Sequence, residues 1–323
     1  MAPVSTGRTS IGKGHRNLLL AASVATFLLI TAGSTVCVTG SAMGCPDWPA
    51  CYGQIVPPMR LDSIIEYTHR IVALLASPLI FAAAFVGWRR TRSLRWVSRP
   101  PILAIPFLLA VVVFGALAVL RGLEPGLAAL DLGSALIVLA LMMVATAAGF
   151  YYYRNPDAPR RLSLRTPFSR LVLGTAIAVY LVLVSAVLVA ATGSLARCLG
   201  WPLYSSVWPT VDSRAWLAIL RRVVAGMASF MVLAVMVQAW RTHRGQKGIV
   251  TVALSMGILF FAETLLGSLM ATFGTLSGLL ILYVALVTAV WSLLAVLVLL
   301  AGLVAPAPRP SRAEIGQPAQ RAL

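Results

Sequence analysis

Charge is scarce in this chain. Asp, Glu, Lys and Arg make up 11% of its 323 residues, about half the share of a soluble globular domain. Apolar residues make up 59%, and mean hydropathy is +0.90. A water-soluble fold is thereby excluded, and an all-α integral membrane protein is expected. Acidic residues are the scarcest charges, with 9 against 26 Lys and Arg, for a net charge of +17. In a soluble protein that excess would suggest nucleic acid, but its placement here excludes that reading. Histidine is scarce too, at 3 residues. His15 and His243 fall in basic segments, where solvated rings are expected, so His69 is the one imidazole expected at membrane depth.

Apolar stretches of roughly 20 residues, enough to cross a bilayer, fall near 17–38, 67–88, 101–120, 127–150, 168–191, 217–239, 249–273 and 279–304. Eight transmembrane helices are expected. The segments 1–16, 89–100, 151–170, 240–248 and 305–323 hold 19 of the 26 basic residues, against only Asp157 and Glu314. Basic loops stay on the cytoplasmic side, so both termini are expected inside a cytoplasmic (inner) membrane, with anionic lipid as a partner. The first span has the basic start of a signal peptide, but its counterpart is internal, so it is expected to be retained.

The counterpart belongs to a duplication. Residues 39–51 (T-G-S-A-M-G-C-P-D-W-P-A-C) and 192–204 (T-G-S-L-A-R-C-L-G-W-P-L-Y) match at six of thirteen positions with a constant offset of 153. Gly115 and Asp131 fall on Gly267 and Tyr283 at offset 152. A cytoplasmic N-terminal segment (1–16), a first four-helix repeat (17–153), a cytoplasmic linker (154–170), a second four-helix repeat (171–304) and a disordered Pro-rich tail (305–323) follow. Four spans per copy make the repeats parallel, as two four-helix bundles related by a pseudo-twofold along the membrane normal. A homo-oligomer is compatible with this layout.

The copies differ in their chemistry. Cys45 and Cys51 sit in the first outer loop with five residues between them. An extracytoplasmic pair at this spacing can form a disulfide staple or act as a redox pair. Tyr204 replaces the second cysteine in the other copy, so Cys37 and Cys198 are expected as free thiols, with a bridge between them as the alternative. Glu66 and His69 share one helix face by their i, i+3 spacing. An ionisable group in a span is a functional candidate, and imidazole is a common haem ligand; a hydrogen-bonded interfacial histidine is the other reading. Arg70 suits a lipid phosphate or a haem propionate. Asp131 needs a partner inside the bundle, from His69, Arg70 or Arg121. Glu263 needs one from Arg221 or Arg222.

The stretch from Thr39 to Gly53, followed by I-E-Y-T-H-R-I-V-A at 65–73, resembles the heme A synthase family. The duplicated eight-span layout is similar as well. The resemblance implies oxidation of a methyl group of haem O to the formyl group of haem A by successive hydroxylations. Cytochrome oxidase biogenesis is thereby implied, with a haem O-producing farnesyltransferase and the oxidase assembly machinery as partners. It assigns Glu66 to the reaction, His69 to haem iron, and Cys45 and Cys51 to the loop cysteines. Arg70 and Asp131 are further cofactor-binding candidates.

The sequence departs from that family at three ligand positions. Asp131 stands where the first half's second ligand is expected, and Arg221 and Tyr283 stand at the second pair. A guanidinium has no lone pair for a metal. The second site is therefore expected to be degenerate, leaving a single haem, as haem O substrate or haem b. A non-catalytic haem-binding or oxidase-assembly paralogue is the alternative. A transporter using Glu66, Asp131, Arg221 and Glu263 is a third class.

Overall fold

The computed structural model describes residues 11–122, 124–156, 158, 162–189, 215–273 and 277–303. Eight long helices lie among them: α1 (Lys13–Val38), α2 (Leu61–Arg90), α3 (Arg95–Leu120), α4 (Pro125–Arg154), α5 (Pro167–Val189), α6 (Ala215–Thr242), α7 (Lys247–Phe273) and α8 (Ser277–Leu303). No strand of a sheet occurs among the described residues. Each helix is long and apolar enough to cross a membrane. The 26 residues of α1 span roughly 39 Å at about 1.5 Å per residue, more than the roughly 30 Å hydrocarbon core. The second copy of the loop motif, with Cys198 and Tyr204, and the 305–323 tail lie outside the described residues.

The helices begin earlier than the apolar runs do. Helix α2 starts at Leu61 rather than near 67, because Asp62, Ser63 and Glu66 lower the hydropathy of its first turns without breaking the helix. Helix α3 starts at Arg95 and contains Pro100, Pro101 and Pro106. The proline nitrogens cannot donate to carbonyls one turn back, yet the segment stays helical.

Helices α1 to α4 pack as a ring, α1 against α2 and α4, and α3 against α2 and α4. Helices α5 to α8 do the same, α5 against α6 and α8, and α7 against α6 and α8. The seam runs where α8 meets α1 and α4, and where α4 meets α5. One apolar core crosses it, joining Ile30, Leu136 and Leu139 to Val179, Leu183, Val287 and Leu294. Trp291 Nε1 donates to the Leu136 carbonyl at 2.9 Å across the seam. Within the first ring, Ser23 and Thr146 hydroxyls lie 2.7 Å apart, and Thr146 donates to the Leu19 carbonyl. Buried hydroxyls bonded in this way fasten α1 to α4 without leaving polar atoms unmet. Leu74, Leu75, Phe230 and Ile258 are exposed on the outside, as acyl-chain contacts require.

Two expectations about histidines change. His15 is buried, not solvated, because the end of α2 covers it. His243 is partly covered, with its ring centroid 4.4 Å from that of Phe168. Burial holds its pKa below the ordinary value.

Candidate functional site

The first outer loop is built on a small covalent and hydrogen-bonded frame. Cys45 and Cys51 form a disulfide with Cα atoms 4.7 Å apart, and both are fully buried. Closing so short a loop stabilises it by roughly 2–3 kcal/mol on the chain-entropy model. The next residues turn back, with Cys51 and Gln54 exchanging both backbone bonds at 3.1 Å. Tyr52 and Gly53 have positive φ of 55° and 69°. Asp47 holds that turn, accepting from the N–H groups of Tyr52 and Gly53 at 2.6 Å each. The Gly53 N–H is the main reason that the Asp47 carboxyl lies below its ordinary pKa, with the Tyr52 N–H adding to it.

The loop then seats on the start of α2. Gly44 lies so close to the backbone of Asp62 and Ser63 that a Cβ there would overlap it. The Ser63 hydroxyl donates to the Gly44 carbonyl at 2.6 Å. Arg70 completes the attachment. Its Nη1 donates to the carbonyls of Asp47 at 2.7 Å and Ala50 at 2.6 Å, and Nη2 to that of Cys45 at 3.2 Å. Nη2 also meets Glu66 Oε1 at 2.7 Å. Ser63, Glu66 and Arg70 are at i, i+3 and i+7, which puts them on one face. One Arg70 guanidinium thus meets a set of loop carbonyls and Glu66.

Glu66 is buried, and its Oε2 has no partner. His69 lies one turn on and faces α1. A Cβ at Gly33 would come within 2.9 Å of His69 Cε1, so glycine leaves the space that the imidazole occupies. His69 Nδ1 is buried and also unpartnered. Asp131, from α4, has a third such atom, Oδ1. It points toward Gly115 of α3, 3.6 Å from where a Cβ would stand. The expected ion pair for Asp131 does not form among the described residues. Arg70 is taken by the loop and Glu66, and Arg121 is exposed at the end of α3.

The equivalent positions of the second half are occupied differently. Arg221 is buried, and its Nε donates to the Val182 carbonyl at 3.3 Å. Tyr283 is buried, and its hydroxyl donates to Glu263 Oε1 at 3.5 Å. Glu263 Oε1 is thus met by the Tyr283 hydroxyl. Cys37 is disulfide-bonded, which corrects the expectation of a free thiol.

An imidazole with a buried nitrogen not used in any hydrogen bond suits haem iron, and the unpartnered carboxylate oxygens of Glu66 and Asp131 suit proton or hydrogen-bond traffic. The first half therefore fits a haem. The second does not fit one held by imidazoles, since Arg221 offers no lone pair and Tyr283 is committed to Glu263. Sequence reasoning missed Gly33, Gly44 and Asp47. Only Asp47 had a signal, as the one carboxylate inside the cysteine loop.

These features define a multi-pass helical membrane protein with a carboxylate and an imidazole one turn apart under a disulfide-bonded loop. The chain belongs to the COX15-CtaA family of cytochrome oxidase assembly proteins, whose model matches residues 16–64 and 59–214. It is similar to heme A synthase of Bacillus licheniformis, 28% identical over 242 residues, covering 74% of this chain and 80% of that one. It is also similar to heme A synthase of Shouchella clausii, 26% identical over 293 residues, covering 89% and 97%. Heme A synthase of Bacillus mycoides is 28% identical over 233 residues, covering 71% and 75%.

Proposed function

We propose that the chain is a membrane oxidoreductase of the heme A synthase type, converting a methyl group of haem O to a formyl group for cytochrome oxidase biogenesis. One observation carries this reading. Glu66 and His69, one turn apart on α2, each keep a buried atom without a partner beneath the stapled loop. A structural pair would be expected to use those atoms. The names of the relatives support the same reading.

In this account His69 holds the haem iron. When bound, haem supplies a redox-active iron and, as haem O, the methyl to be oxidised. Glu66 would act near the methyl being oxidised, with its unpartnered Oε2 free to hold a proton there. Arg70 fixes the other oxygen of Glu66 and so aims Oε2. The loop keeps bulk water from the outer end of the bundle. Asp131, whose Oδ1 is unpartnered, would accept a hydrogen bond from a bound group on the α4 side. The basic segments favour a cytoplasmic position for both termini, in a cytoplasmic membrane. The site then works near the outer face, between a haem O-producing farnesyltransferase and the oxidase assembly machinery.

The test is co-expression with a haem O source, followed by pigment extraction. Wild type yields haem A, and Glu66→Gln and His69→Ala do not. If wild type gives no more haem A than His69→Ala, the enzymatic reading fails. The second reading then stands, a haem-binding or oxidase-assembly paralogue without turnover. The filled ligand positions of the second half, Arg221 and Tyr283, favour that reading.

A further inference from the structure

The opposite end of the first ring holds a feature that the reaction does not use. Helix α1 begins there and α2 ends there, at the pole away from the disulfide loop. A cavity of about 310 Å³ opens between them, lined by Gly12, Gly14, His15, Leu18, Val86, Arg90 and Thr91. A Cβ at Gly12 or Gly14 would meet nothing within 4 Å. His15 lines this space at 5% exposure, and both of its ring nitrogens are buried without a partner. Such a group is costly unless something bonds to it.

We propose that this cavity binds a phosphate-bearing anion, held by His15, Arg90 and the first turn of α1. Three independent donor sets converge on it. The imidazole has an unused N–H. Arg90 brings a guanidinium, whose planar fork suits phosphate oxygens. Gly12 caps α1 without a side-chain bond, and no acidic residue lies in the first turn. The amides of that turn therefore lack intrahelical acceptors and present the positive end of the helix dipole. Among the described residues, no carboxylate lines the cavity.

The neighbouring arginines are engaged elsewhere. Arg16 lies over Phe150 and Tyr153, 4.9 and 4.5 Å from their centroids. Arg89 lies over Phe85 and Trp88 at 5.3 Å each. Aromatic rings under arginines mark headgroup depth. An anion at this level has two sources, a phospholipid headgroup or free phosphate. Leu18 and Val86 add an apolar wall suited to the glycerol and first methylenes of a lipid. The site does not depend on the haem reaction and stands or falls separately from it.

The experiment uses the purified full-length chain in detergent and native mass spectrometry, with phosphatidylglycerol or inorganic phosphate as probe. Wild type retains one anionic probe. Arg90→Gln and His15→Phe each weaken retention by about tenfold, the loss expected for one charge-assisted or buried hydrogen bond. Gly14→Leu fills the cavity without removing a charge and weakens it as well. Retention of phosphatidylglycerol against excess phosphate assigns the lipid source, and displacement by phosphate assigns the free anion. Elution volume and an intact Cys45–Cys51 bridge show that each variant is folded. Equal retention by wild type and all three folded variants, or binding of neither probe by wild type, overturns the proposal.

Discussion

Arg70 Nη2 donates to Glu66 Oε1 at 2.7 Å across one turn of α2, while the same guanidinium holds the carbonyls of Asp47, Ala50 and Cys45. The loop and the carboxylate are thereby one mechanical unit. Arg70→Ala should free both. The expected cost is about 1.5–3 kcal/mol, as for a hydrogen bond to a charged group. Hydrogen exchange across residues 44–54 should rise, and haem A yield should fall with it. Arg70→Lys should rescue little, because an ammonium cannot fork between loop and carboxylate.

Gly33 sets the position of His69. In Gly33→Ala the new Cβ meets the imidazole at 2.9 Å, so the ring or α1 must shift. Overpacking of this kind costs about 1–3 kcal/mol. The absorption spectrum of bound haem should change, while the far-ultraviolet circular dichroism should not. An unaltered spectrum would separate His69 from the iron.

Asp131 occupies the position where the family resemblance expects a second imidazole. Asp131→His should offer that ligand and convert a high-spin haem spectrum to a low-spin one. Asp131→Asn should keep the wild-type spin state. Reduced-minus-oxidised spectra of the purified proteins distinguish these outcomes.

The Tyr283–Glu263 contact is expected to be structural. Tyr283→Phe removes a donor to a buried carboxylate, at a cost of about 1–3 kcal/mol. Thermal unfolding in detergent should report the loss, and haem content should stay at the wild-type level.

The loop should also respond to acid. The Asp47 carboxyl is held below the ordinary carboxylate range by the Gly53 and Tyr52 amides. A depressed folded value means that the contribution is present above about pH 4 and is lost as pH falls through the folded pKa. Exchange at Tyr52 and Gly53 should accelerate there, and Asp47→Asn should flatten that dependence.

Much of this was legible in the chain. Spans of apolar residues gave eight helices, since hydrocarbon imposes its own length on them. The i, i+3 spacing of Glu66 and His69 put both on one turn, and the cysteine spacing pointed to a disulfide. What escaped was tertiary. The partner of Arg70 depends on how a loop folds over α2, which no local pattern encodes. His15 reads as solvated because its neighbours are basic, yet the end of α2 covers it. Helix α2 begins at Leu61, ahead of its apolar run, because polar Asp62, Ser63 and Glu66 are compatible with a helix that hydropathy does not mark. The cradle at Gly33 is a contact between two helices, and a lone glycine in an apolar run gives no sign of it.

The most direct test is the haem content of the purified full-length protein. The account predicts a single haem, high-spin, present in wild type and in Tyr283→Phe and absent from His69→Ala. Haem retained in His69→Ala, or lost in Tyr283→Phe while the protein stays folded, would contradict it.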